Sequence, residues 1–152
     1  MTLFTLEIMM TAPSYRTACA GDIPAMSAIR LAVQENRLSD PTRITAQMYA
    51  DYLDLLGRGW VCERDGAITG FAYADRAGGS IWALFVDPAH EGHGIGKHLL
   101  ALATGYLFEE GHAKVVLTTD PGTRADRFYI AQGWLRSHAE GDREASFVME
   151  RP

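Results

Sequence analysis

Three glycines at alternate positions, Gly92, Gly94 and Gly96, stand with Lys97 inside the run Trp82 to Leu100, WALFVDPAHEGHGIGKHLL. Glycine lets a backbone turn tightly and come close to a ligand, because no Cβ stands in the way. A helix that opens directly after such a turn adds its unsatisfied N–H groups and the positive end of its dipole. Together these make a cradle for anionic oxygens, so the spacing points to a phosphate-bearing cofactor. Two familiar phosphate loops do not fit the letters. A P-loop needs a glycine five residues before Gly96 and a Ser or Thr after the lysine, where this chain has Glu91 and His98. A dinucleotide fingerprint needs G-x-G-x-x-G, whereas the spacing here is G-x-G-x-G, with Lys97 in the place of the third glycine.

The other reactive side chains nearby do not assemble into a metal site on paper. His90, His93 and His98 straddle a turn and a helix start without a fourth ligand or a metal-binding spacing, so no metal is expected. Cys19 and Cys62 are too few for a disulfide framework and read as small, reduced, apolar residues in strands.

The elements around the glycines follow from periodicity. A strand over Tyr15 to Cys19 leads to a helix with Asp22 as N-cap, Pro24 in the first turn, and Ile23, Met26, Ile29 and Val33 on one stripe. Gln34 to Asp40 reads as loop, closed by Pro41. Thr45 caps a second helix whose Met48, Tyr52, Leu55 and Leu56 share a face, with Gly57 terminating it. Asp65-Gly66 joins Trp60–Glu63 to Ala67–Tyr73 as a hairpin, since Asp-Gly supplies the positive φ angles of a two-residue turn. After a Gly78-Gly79 turn come a strand over 80–86, an amphipathic helix over 95–109 ended by Gly111, and an apolar strand over 113–119. That order is a βαβ unit, which makes its two strands parallel. A short helix over 125–132, a strand from Trp134 and a last strand over 146–150 complete the chain.

With these residues in view, the chain resembles the GNAT N-acetyltransferase superfamily, whose pyrophosphate loop follows a Val-x-Pro strand end and reads Arg/Gln-x-x-Gly-x-Gly/Ala. Val86-Asp87-Pro88 and Glu91-Gly92-His93-Gly94-Ile95-Gly96 occupy those places, and Ala125 to Trp134 is similar to the family's A-x-x-F-Y-x-x-x-G-F pattern. Glu91 departs from the usual Arg or Gln, and Gly122 stands where many members have asparagine. The resemblance, over roughly residues 13–150, implies an α/β fold of α+β type: a mixed, mainly antiparallel central sheet with one parallel, splayed strand pair and flanking helices. It implies acetyl-CoA as acyl donor substrate, with Phe85 and Val86 on the pantetheine arm and Glu91, Gly92, His93, Gly94, Ile95, Gly96 and Lys97 around the pyrophosphate. The implied reaction is direct attack of a primary amine of a small molecule or peptide on the thioester, with Tyr129 as proton donor to the leaving thiolate. The alternative use of Tyr129 is to pack its ring under the cofactor. For the general base, Asp120, Glu35, Asp40, His90 and a water chain all stand open. The acceptor pocket is expected along the first two helices and Asn36 to Arg43, with Trp82 contributing. Arg37 and Arg43 there either grip a carboxylate or are solvated, and Tyr49 and Tyr52 line the core or the pocket. The rival function is a non-catalytic acyl-CoA-binding sensor or interaction module of the same fold.

Composition narrows the classes further. The 152 residues are 47% hydrophobic with a formal net charge of −5. That suits a single domain, expected over 13–152 with 1–12 as an N-terminal extension, and it leaves no basic patch for nucleic acid. No apolar run approaches a bilayer span, and Met1 to Met10 lacks a basic n-region and a cleavage site. The expectation is therefore a cytoplasmic protein with no membrane partner; a homodimer is common in the resembled fold.

Overall fold

The computed structural model describes residues 12–33 and 44–152. Along the chain run β1 (Ser14–Thr17), α1 (Ile23–Ala32), α2 (Ala46–Asp51), β2 (Gly57–Arg64), β3 (Ala67–Asp75), β4 (Ser80–Val86), α3 (Ile95–Glu109), β5 (Lys114–Thr119), α4 (Arg124–Ala131), β6 (Leu135–Ser137) and β7 (Ala145–Glu150). The seven strands form one sheet in the order β1-β2-β3-β4-β5-β7-β6, antiparallel everywhere except between β4 and β5. This is the mixed, mainly antiparallel sheet with a parallel pair that the sequence led us to expect.

Period-two alternation in β2 and β3 builds a core on each face of the sheet. Trp60, Cys62, Ala72 and Ala74 pack with Leu99, Ala103 and Leu107 of α3. Val61, Phe71 and Tyr73 pack on the other face with Met26 and Ile29 of α1 and Tyr49 of α2. The hairpin turn is as expected, with Asp65 at φ 54 and Gly66 at φ 79. The 15-residue α3 buries Ile95, Leu99, Leu100, Ala103, Tyr106 and Leu107 along one stripe and is closed by Gly111 at φ 104.

Four local expectations are corrected. The second helix ends at Asp51, so its stripe does not reach Leu55 and Leu56, which are 79% and 41% exposed, and Tyr49 is its buried residue. Gly57 opens β2 instead of closing the helix, and a Cβ there would fall 1.8 Å from the Ala74 carbonyl oxygen. Asp22 does not cap α1 with its side chain; its carboxylate accepts from Arg16 Nη1 at 2.8 Å and from the Cys19 backbone N–H at 2.9 Å. Cys62 is buried in β2, but Cys19 is exposed beyond the end of β1.

Two irregularities position the site. In the β3–β4 ladder Tyr73 faces Ala83 and Ala74 faces Ile81, which leaves Trp82 without an opposite residue. That bulge turns Ile81 toward the α3 side and puts both Trp82 and Ala83 on the α1 side, bending the strand as bulges do. The parallel pairing of β4 with β5 is then confined to Ser80 opposite Val116, with one further bond from Val116 N–H to the Gly79 carbonyl at 3.1 Å. Past that point the two strands part, while β5 keeps a six-position register with β7, from Lys114–Glu150 to Thr119–Ala145.

Candidate active site

The split between β4 and β5 opens on two cavities. One, of about 380 Å³, lies at the glycine loop and is walled by Leu84, Phe85 and Val86 of β4, by Gly92, Gly94, Ile95, Gly96 and Lys97, and by Arg124, Ala125 and Phe128 of α4. Asp87 starts the turn by accepting from the Ala89 backbone N–H at 3.0 Å. Gly92 and Gly94 then take φ of 84° and 76°, and Gly94 is the N-cap of α3. A Cβ on either glycine would meet nothing within 4 Å, so these positions border open space and are glycine for their backbone angles. The first N–H groups of α3 have no intrahelical acceptor and face this end of the split. Phosphate at the loop and an extended apolar arm along β4 fit such walls.

Of the residues singled out in the sequence, Phe85, Val86, Glu91, Gly92, Gly94, Ile95, Gly96 and Lys97 are brought together here, with His90 beside them. His93 is exposed and stands outside the cavity lining. His98 turns away and stacks on Tyr15, ring centroids 3.7 Å apart. Among the described residues no three of His, Cys, Asp or Glu gather as a metal site. Glu91 forms an ion pair with Arg124, 33 positions later at the start of α4. Arg124 was invisible to a reading of the loop alone, because only the packing of α4 against the split brings it there.

The second cavity, about 390 Å³, fills the wedge itself. It is bounded by residues 80–85 of β4, by residues 116–120 at the end of β5, by Arg30 of α1 and Met48 of α2, and by Glu144 just before β7. Leu84, Phe85, Ala125 and Tyr129 line both cavities, so Tyr129 stands where the two meet. The residue is 93% buried, its ring between Phe128 and Phe147 with centroids 5.3 Å from each, and burial pushes its phenol well above the ordinary value. The phenol therefore holds its proton at any physiological pH.

The loop from β5 into α4 is held rigidly. Thr123 caps α4 by accepting from Asp126 N–H at 3.2 Å, and the buried Asp126 carboxylate accepts from Gly122 N–H at 2.8 Å and from Arg136 Nε and Nη2 at 2.7 and 2.8 Å. This places Asp120 on the cavity wall. Glu144 joins it there, accepting from Thr118 Oγ1 at 3.0 Å. Nothing in the sequence around Glu144 marks it; it arrives because Thr119 and Ala145 are ladder partners. The candidates Glu35 and Asp40, and Asn36 to Arg43 with Arg37 and Arg43, lie outside the described residues. Tyr49 is a core residue at 2% exposure, and Tyr52 is half-buried against Trp82 at 5.1 Å between centroids.

Comparison with known proteins decides the family: the model of the acetyltransferase (GNAT) family matches residues 25–134. The chain belongs to that family. Among curated GNAT relatives, an uncharacterised N-acetyltransferase, ycf52-like, of Prochlorococcus marinus is 38% identical over 55 residues, 36% of this chain and 29% of the relative. The mycothiol acetyltransferase of Catenulispora acidiphila is 31% identical over 70 residues, 45% of this chain and 22% of the relative. The matches thus span less than a third of the length of these relatives. Solved structures share the fold over nearly the whole chain. Salmonella typhimurium yncA with its cofactor acetyl-CoA has a TM-score of 0.73 at 17% identity, covering 92% of this chain and 94% of that one. The paia N-acetyltransferase of Thermoplasma acidophilum in complex with coenzyme A has a TM-score of 0.77 at 12% identity, covering 93% and 100%. In this chain the glycine loop and α4 line the same cavity, and the Glu91–Arg124 ion pair joins them.

Proposed function

We propose that this protein transfers an acetyl group from acetyl-CoA to a primary amine by direct attack. The observation that carries the reading is the split between β4 and β5, with the glycine loop at one cavity and Tyr129 shared by both. When bound, acetyl-CoA supplies an acyl group already activated as a thioester. The N–H groups at the start of α3, with Lys97, suit its phosphates, and the apolar faces of Leu84, Phe85, Val86 and Phe128 suit its arm. Backbone groups of β4 left unpaired by the split offer hydrogen bonds to an extended chain. Tyr129 keeps a proton on Oη at the junction, where a departing sulfur needs one. Asp120 and Glu144 lie on the acceptor side as acceptors for a proton leaving the amine, directly or through water. A purely binding role would draw on the carboxylate of Glu91 in the loop, but Arg124 pairs with that charge.

The test is thermal unfolding with and without acetyl-CoA, followed by thiol release on adding amines. Donor at about 100 times its dissociation constant should add roughly 2.7 kcal/mol of stability, and free adenine nucleotides should not reproduce the whole shift. A shift followed by amine-dependent thiol release supports the transferase. A shift with no thiol release across a broad amine panel would favour a binding module, and no shift would remove acetyl-CoA as the ligand.

A further inference from the structure

The glycine-loop cavity has one lining side chain whose charge runs against the rest. Lys97 and Arg124 line it, and the first N–H groups of α3 bring the positive end of the helix dipole to the same end. Glu91 is the one acid among the described residues that line it. Its carboxylate accepts from Arg124 Nη1, so the two charges meet as an ion pair on the cavity wall.

The partners stand on unequal footings. Arg124 is the first residue of α4, and its backbone is fixed from below. Thr123 caps that turn, and Asp126 ties it to Gly122 N–H at 2.8 Å and to Arg136. The guanidinium is carried above this base on a long side chain that is 56% exposed, while the Glu91 side chain is 34% exposed. An ion pair so open to water adds little, because solvent already serves both ends. A phosphate carries more charge than a carboxylate and meets the planar guanidinium with two oxygens at once. In competition for Arg124, a phosphate in this cavity therefore wins over Glu91.

We infer that Arg124 binds a phosphate of the cofactor, and that Glu91 holds the guanidinium at the cavity wall until that phosphate displaces it. Glu91 is then an internal competitor that weakens retention of the cofactor. Naming the ligand as coenzyme A rests on the acetyl-transfer reading, whereas the exchange rests on the ion pair and the cavity it lines.

Calorimetric titration with coenzyme A, on the wild-type chain, Glu91→Gln, Arg124→Gln and the double variant, separates three roles for Arg124. If Arg124 only neutralises Glu91, its loss is harmless once Glu91→Gln is in place. If the pair only fastens the loop, either substitution weakens binding alike and the second adds nothing. If Arg124 contacts phosphate, Arg124→Gln weakens binding about tenfold or more in both backgrounds, the scale of a hydrogen bond to a charged group. Glu91→Gln alone then tightens it a few-fold. Arg124→Lys should restore part of the loss, since it keeps the charge without the fork. Either of the first two patterns would overturn the inference. Should Arg124→Gln fail to fold, Arg124→Lys in the two backgrounds decides by the same comparison. Dephospho-coenzyme A, which keeps the diphosphate and lacks the ribose phosphate, locates the contact. A retained Arg124 effect assigns it to the diphosphate, and a vanished one to the ribose phosphate. No binding of coenzyme A by the wild-type chain would sink the donor reading and this inference together. Binding that ignores Arg124 in the Glu91→Gln background sinks this inference alone.

Discussion

Tyr129 has one heavy atom to lose without disturbing its surroundings, which makes it the sharpest test at the level of single residues. Tyr129→Phe keeps the ring contacts with Phe128, Trp134 and Phe147 and removes only the hydroxyl. Turnover should fall about 10²-fold, the usual scale of a general acid, with acetyl-CoA affinity nearly unchanged. Equal turnover in the two proteins would reduce Tyr129 to a packing residue. Because burial raises this phenol above its ordinary value of about 10, the wild-type rate should climb with pH as the amine deprotonates and show no fall from loss of the Tyr129 proton up to pH about 10. Glu91 makes the opposite prediction. Its carboxylate stands in the loop proposed to hold phosphate and holds Arg124 in an exposed ion pair, so the pair adds little stability. Glu91→Gln should leave the melting temperature within a degree or two and tighten acetyl-CoA binding a few-fold, more at low salt than at high. Weaker binding in Glu91→Gln would mean that the pair orders the loop and that order matters more than charge.

At the level of elements, local chemistry was legible and register was not. The Asp65-Gly66 hairpin, the glycine loop and α3 could be placed from the letters, because positive φ angles, an apolar stripe and a closing glycine are local demands. Leu55 and Leu56 were misread, since a stripe continued past Asp51 only on the assumption that the helix did. The Trp82 bulge depends on which residues of β3 face β4, and Arg124 and Glu144 reach the site only through the packing of α4 and the β5–β7 pairing. No window along the chain contains that information; only likeness to a known fold implied the splay. The loop and the hairpin also supply a matched pair of substitutions. Gly94 and Gly66 have φ of 76° and 79°, and a Cβ on either meets nothing within 4 Å. Alanine should therefore cost about 1–2 kcal/mol at each, through the backbone alone, and lower the melting temperature by several degrees. Only Gly94→Ala should also weaken acetyl-CoA binding, because its new methyl group enters the cradle. Equal loss of binding in both variants would trace the effect to general destabilisation and withdraw the loop's assignment.

Across the whole molecule, the two ends of the sheet are fastened by the same device. At the β1 end Arg16 holds Asp22 at the entrance to α1 and also pairs with Glu63 of β2. Near the β6 end Arg136 grips Asp126 of α4 in a two-pronged bond. The arginine in each case depresses the carboxyl: Asp22 falls to about 2, through Arg16 first and the Cys19 N–H after it, and Asp126 is lowered by Arg136 and then by the Gly122 N–H. A depressed carboxyl contributes stability that is fully present above its unfolded value of about 3.9 and is lost as pH falls through the folded value. The urea midpoint should therefore stay nearly level from pH 7 to 5 and drop between about pH 4 and 2, with a slope approaching two protons. Asp126→Asn should lower the melting temperature by a few degrees at pH 7 and remove part of the acid slope. The cores on the two faces of β2 and β3 contain none of these ions, so acid should loosen the margins first. In hydrogen exchange at pH 3, amides of β1 and β6 should lose protection before those of β3 and α3. Uniform loss across the sheet would show that the edge pairs are not what acid releases.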